Sequence, residues 1–284
     1  MNGIIIVDKP KTWTSHDVIN KIKRILKAKK IGHAGTLDPD ATGVLVVLLN
    51  EATKLSDYLI ADEKEYEFEI VIGESTETED ASGNIIDEKK VDQLENVDEV
   101  LNSLIGQLEQ VPPMYSSVHV EGRKLYEYAR EGLTIERKAR EVNIYEIKRT
   151  SEIEYKNDKA YFSVLTRVSK GTYIRTLAVE IGNRLNFPAH LGNLRRISSG
   201  KLKIDKACTI ADIEAGNFKL ISMLEAMSGR IIIEVSENEY KQVMNGKPLL
   251  LSSQADEVVL SFNEQMIAIY ERDGLIFRAK RVWK

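Results

Sequence analysis

The sequence predicts an α/β protein. Apolar runs with strand-like periodicity alternate with segments whose apolar residues recur at helical spacing, and beyond residue 229 short strands separated by Gly and Asn turns take over. "GIIIVDKP" (3–10) reads as a strand closed by a turn. "TSHDVINKIKRIL" (14–26) follows as a helix, with Thr14 and Asp17 spaced as a capping box. Val18, Ile19, Ile22, Ile25 and Leu26 form its apolar stripe, which leaves Lys21, Lys23, Arg24 and Lys27 outside. "VLVVLL" (44–49) is short and β-branched, hence a buried strand. "EYEFEIVIG" (65–73) alternates strictly, with Tyr66, Phe68, Ile70 and Ile72 on one face and Glu65, Glu67 and Glu69 on the other.

An acidic helix is expected near 92–108, then a Pro-Pro loop, "VPPMYSS" (111–117), and a mobile, partly helical excursion rich in Arg and Lys over 121–140. Residues 159–185 read as a strand, a tight Ser-Lys-Gly turn and a helix with the core stripe Ile174, Leu177, Ala178, Ile181 and Leu185. Arg175 lies one residue off that stripe. "MSGR" (227–230) marks a boundary, so two domains are expected, 1–229 and a small β-rich 230–284.

Composition narrows the function. Four scattered histidines and a single cysteine, Cys208, leave no pair at ligand spacing, so neither a structural zinc site nor a disulfide framework is expected. No run approaches a membrane span and no signal peptide is expected; a soluble, cytoplasmic monomer is the expectation. The formal net charge of -4 conceals a division. Residues 61–110 carry 16 acids against 3 basic residues, so the remainder is net basic. "KIKRILKAKK" (21–30) holds six Lys or Arg and no acid, and 161–210 holds nine against two. One such run is usually a solvated helix face, but two of them flanking a motif make a polyanion-binding surface.

That motif is "IGHAGTLDPDATGVLVVLL" (31–49). Pro39 drives Asp38 out of the α region, and the glycines allow close turns. A carboxylate between apolar stretches needs a cation or several amides to offset desolvation, which makes Asp38 a candidate catalyst. "DPDAT" also fits the Asp-x-Asp-x-Thr pattern of haloacid dehalogenase-like phosphatases, yet there the acids follow a hydrophobic strand, whereas here they precede one.

"GHAGTLDPDATGVLVV" closely resembles the catalytic motif of the bacterial tRNA pseudouridine synthase B family. The likeness continues in order through "VDKPKTWTSHDV", "EATKLSDYL", "KEYEFEIVIGESTETEDASG", "PPMYSSVHVEGRKLYEYAREG", "SKGTYIRTLAVEIG" and "LGNLRRISSG"; "NGKPLLL" and "AIYERDGLIFRAKRVW" resemble a pseudouridine-synthase-and-archaeosine-transglycosylase (PUA) domain more loosely. The resemblance implies a mixed, largely antiparallel sheet flanked by helices, with the cleft across its middle. It implies isomerisation of the T-loop uridine at tRNA position 55 to pseudouridine, without metal or cofactor. It makes Asp38 the nucleophile and Arg175 its partner cation, with Tyr66 stacking on the flipped uracil, Leu194 as an apolar wall and His33 filling the vacated stack. Lys9 and Tyr173 would support the site or touch RNA, and Lys21, Lys23, Arg24, Lys54, Arg123, Lys124 and Arg195 would contact RNA. The other readings are a synthase acting on a different RNA and an RNA-folding chaperone using the same cleft.

Overall fold

The computed structural model describes residues 1–60 and 63–283. Seven strands form the spine of one large sheet in the spatial order Gly3–Lys9, Thr42–Leu49, Ala189–Ser199, Glu63–Ile72, Lys159–Ser169, Arg140–Arg149 and Gly106–Gln110. Every junction is antiparallel except one. Thr42–Leu49 runs parallel to Ala189–Ser199, in the register Arg195 to Thr42 and Arg196 to Gly43. The expected mixed, largely antiparallel sheet is therefore present.

The middles of the first two strands, 4–7 and 44–49, are apolar throughout because both of their faces are covered. Ile4, Ile6, Val44, Val46 and Leu48 face one apolar cluster, while Ile5, Val7, Leu45, Val47 and Leu49 face another that includes Val18, Ile19 and Ile22 of the helix Ser15–Ile25. Thr14 caps that helix, and Asp17 closes the capping box. Glu63–Ile72 keeps its alternation because only one face is core: Tyr66, Phe68, Ile70 and Ile72 pack with Leu177, Ala178 and Ile181 of the helix Ile174–Arg184, whereas Glu69 and Val71 look into a cleft.

One segment differs from the sequence expectation, while the C-terminal one is β-rich as expected. The acidic stretch forms only a six-residue helix, Val97–Asn102, and then joins the sheet edge as Gly106–Gln110. Its apolar residues Val97, Leu101 and Leu104 are too few to bury a longer helix, and Gly106 at φ +113° breaks it. The C-terminal segment is a four-stranded sheet that also carries the helix Glu237–Met244, capped by Ser236 and Glu239. Val259, Met266, Ile269 and Trp283 of this sheet share a cluster with Ile4, Val46 and Leu48, so it is seated on the large sheet. Among the described residues no helix is long and apolar enough to cross a membrane.

Candidate active site

Asp38 sits in the loop that joins Ile31–Ala34 to Thr42–Leu49. The loop is held on both sides of the acid. Leu37 N donates to Ser15 Oγ at 3.0 Å, and Ser15 Oγ donates back to Leu37 O at 3.2 Å. Lys9 Nζ donates to Pro39 O at 2.8 Å, to Pro10 O at 2.9 Å and to Trp13 O. Lys9 is wholly buried, and desolvation brings its pKa down to about 8 against the pull of Asp40 and Asp38. Of the two roles expected of Lys9, this placement suits support of the loop from behind, since the residue has no exposed surface.

Two glycines make the path feasible. Gly35 has φ +91° and Gly43 φ +98°, and a Cβ on Gly43 would stand 2.2 Å from the carbonyl oxygen of Arg196. The strand Ala189–Ser199 therefore passes directly against the loop's exit.

Arg175, in the first turn of the helix Ile174–Arg184, reaches the acid. Its Nε lies 3.0 Å from Asp38 Oδ2, and its Nη2 donates to Asp38 Oδ1 at 3.4 Å. Nη2 also donates to Tyr115 O at 2.9 Å, and Nη1 to Thr78 O at 3.3 Å. Arg175 is 4% exposed, so the surface position suggested by its offset from the apolar stripe is replaced by full burial. The ion pair and these carbonyls offset the desolvation of its guanidinium.

Asp38, its side chain 43% exposed, lines a cleft of about 470 Å³ together with Ala41, Asp80, Ala81, Gly192 and Leu194. Burial raises its pKa; Arg175 opposes the rise, and Asp80, whose Oδ2 is 3.8 Å from the same Arg175 Nε, adds to it. The arginine's pull on the acid is in the direction that a partner cation implies, but desolvation outweighs it.

Tyr66 is 7% exposed and packs with Leu37 and Ala41, the apolar residues on either side of the acid. Leu194 contributes to the cleft wall, next to a register shift between Leu191 and Leu194 that turns Gly192 and Asn193 out of the ladder. Tyr173 is the N-cap of the arginine's helix. Gln110 fixes it by accepting from Tyr173 N at 2.7 Å and donating to its carbonyl at 2.9 Å. His33 is half-buried on the strand just before the loop; desolvation, then Arg196 and His16, lower its pKa, and its Nδ1 is buried without a hydrogen-bond partner.

The basic residues divide. Lys21 pairs with Glu214 at 2.5 Å, Lys54 with Glu51 at 2.5 Å, Arg123 with Glu131 at 2.5 Å, and Arg195 with Asp8 at 2.7 Å. Lys23 and Arg24 are exposed on the helix and have no carboxylate partner among the described residues. Lys124 and Arg130 lie 5.6 and 5.2 Å from the ring centroid of Tyr126.

Three groups at the site escaped the sequence reading. Asp80 lay inside a Thr- and Glu-rich turn with no local sign of a partner; its Oδ1 accepts from Thr78 Oγ1 at 2.7 Å and from Ser82 N at 3.0 Å. The carbonyl of Tyr115 carries no side-chain signal at all. Arg196, 1% exposed, was passed over for its neighbour Arg195; strand alternation, which sends adjacent residues to opposite faces, was the available clue.

A family model described as TruB family pseudouridylate synthase (N terminal domain) matches residues 23–174. The chain is 42% identical to tRNA pseudouridine synthase B of Streptococcus sanguinis over 291 aligned positions covering 100% of both chains. It is also 42% identical to the protein of that name from Bacillus licheniformis, covering 96% of this chain and 90% of that one. A solved structure of an H/ACA RNP bound to a substrate RNA containing 2'-deoxyuridine superposes with a TM-score of 0.72 at 22% identity, over 99% of this chain and 85% of that one, and shares its fold. The chain accordingly belongs to the TruB family of pseudouridylate synthases, and its reaction is the isomerisation of uridine to pseudouridine in tRNA.

Proposed function

We propose that the substrate is the T-loop uridine at position 55 of tRNA and that Asp38 is the nucleophile. The ion pair of Asp38 with the buried Arg175, opening into the cleft, is the observation that carries this reading. The reaction breaks the N1–C1′ bond and forms C5–C1′, so C5 gives up its hydrogen and N1 gains one. No electrons leave the system. The carboxylate supplies an electron pair, to C6 of the uracil or to C1′ of the ribose, and both routes begin from ionised Asp38. Arg175 holds that charge and fixes its direction, since a guanidinium presents two N–H groups to one carboxylate.

A uridine stacked in its loop is out of reach, so it must be extruded at a cost of roughly a few kcal/mol. Leu194 and the apolar side of the cleft receive the base, and His33, held neutral, fills the gap in the stack; Tyr66, which is not part of the cleft's lining, stacks on the base once it is uncovered from Leu37 and Ala41. Tyr173 and Lys9 keep Arg175 and the Asp38 loop in register. The T-arm backbone lies along unpaired cations, Lys23 and Arg24 on the helix and Lys124 and Arg130 on the 121–140 insertion, while Lys21, Lys54, Arg123 and Arg195 serve as bracing pairs. The C-terminal sheet beyond residue 229 acts as the PUA-like module, and the protein works as a monomer.

The test is Asp38→Asn. Pseudouridine formation, followed by tritium release from tRNA labelled at uridine C5, is expected to vanish while tRNA affinity stays within a few-fold. Turnover by the Asn variant ends the assignment of the nucleophile.

A further inference from the structure

Arg196 has the largest side chain among the fully buried ones, and its guanidinium hydrogen bonds all run to the strand and loop that carry Asp38. Its Nε donates to Val44 O at 2.7 Å, its Nη1 to Thr36 O at 3.3 Å and its Nη2 to Gly35 O at 3.1 Å. Its backbone lies in parallel register with Gly43 and pairs on the other side with Tyr66. One residue thus touches the entry to the loop, its exit, and the strand that bears the stacking tyrosine.

The choice of residue is informative. A guanidinium cannot be deprotonated in a protein, so this charge is permanent, and among the described residues no carboxylate lies within ion-pair distance of it. A buried charge satisfied by carbonyls alone is a poor way to gain stability, because desolvation opposes it and an apolar side chain of similar volume packs as well. What a guanidinium offers instead is a rigid planar fork, with N–H groups aimed at three carbonyls in different directions. A lysine, like Lys9, must gather its carbonyls around one nitrogen, whereas here three different nitrogens each serve a carbonyl of their own.

We propose that Arg196 is a positioning residue for the isomerisation: it holds Gly35 and Thr36 so that Asp38, two residues further on, meets Arg175. Ser15 fixes Leu37 and Lys9 fixes Pro39, but both lie on the opening segment of the chain. Arg196 ties the loop to the strand that also carries Leu194, so nucleophile and cleft wall move as one body. The loop's glycines leave it free to take many paths, and the three carbonyl contacts select one of them. This inference rests on Asp38 being the nucleophile.

The experiment compares Arg196→Lys, Arg196→Gln and Arg196→Met with Asp38→Asn, using tRNA binding, steady-state turnover and circular dichroism. Positioning predicts that folded Arg196 variants bind tRNA within about twofold of the parent while kcat falls tenfold or more. Loss is expected to be least for Arg196→Lys, which keeps a donor to one carbonyl. Turnover within twofold in any folded variant overturns the proposal, as does a loss confined to KM and tRNA affinity. If every replacement unfolds the chain, Arg196 is a scaffold residue and the proposal is equally overturned. An active Asp38→Asn variant instead removes the nucleophile assignment, whatever the Arg196 variants do.

Discussion

Arg175→Met tests the electrostatics of the site most directly. The guanidinium lies 3.0 Å from Asp38, and a neighbouring cation at such range lowers a carboxyl pKa by about 1–3. Desolvation and Asp80 already push Asp38 above the ordinary carboxylate range, with Arg175 the main opposing influence. Removing the arginine therefore raises the acid's pKa by about the same amount. Because attack needs the ionised form, activity is lost as pH falls through this pKa, and the acid limb of kcat/KM moves toward neutrality to match. At a pH below both limbs, the ionised fraction drops tenfold for every pH unit the limb has moved, so roughly 10- to 1,000-fold is expected. Single-turnover tritium release across about pH 5 to 9 measures it, with urea melts confirming that the variant is folded despite the unpaired carbonyls of Tyr115 and Thr78. Stability responds with the opposite sign. A folded state that holds the Asp38 proton more tightly than the unfolded chain is favoured at this site below the unfolded pKa, and that contribution is lost as pH rises through the folded one. An acid limb that stays within a few tenths of a pH unit of the parent's, with activity merely scaled down at every pH, refutes this role for Arg175.

Gly43→Ala places a Cβ 2.2 Å from Arg196 O at φ +98°; it should lose at least about 1–3 kcal/mol in urea melts, from the backbone conformation alone. For RNA binding, Lys23→Gln and Arg24→Gln should each reduce the magnitude of the salt-dependence slope by about 0.7–0.9, whereas Lys21→Gln, which removes a cation already paired with Glu214, should leave it nearly unchanged. Equal slopes for the three variants contradict the division of the basic residues. EDTA is expected to leave turnover unaltered on tRNA whose fold is held by monovalent salt, and no group of three or more metal-ligating side chains occurs among the described residues; loss of turnover that magnesium restores under that salt contradicts a metal-independent isomerisation.

Much of the architecture was legible because it depends on neighbours in the chain. Thr14 and Asp17 are three residues apart and cap the helix as their spacing implies. The alternation through Glu63–Ile72 separates core from cleft, and the stripe from Ile174 to Leu185 is buried as read. At the site, Asp38 stood out as an acid among apolar residues, and the family resemblance supplied Arg175, Tyr66 and Leu194. Periodicity placed Arg175 only relative to its own helix. It could not show that this helix end faces a loop 137 positions away.

By itself, the chain's order of residues determined the local elements, the candidate acid and the net positive charge of everything outside the acidic stretch. Only the tertiary structure decided which cations have a carboxylate partner, because Glu214, Glu51, Glu131 and Asp8 each reach theirs through packing or a turn that composition does not encode. It also decided which of Arg195 and Arg196, sent to opposite faces by strand alternation, lies beneath the loop that carries Asp38. The physical reason is common to both: an ion pair or a buried guanidinium is set by strand register and by which face meets protein, and those are fixed when distant segments pair.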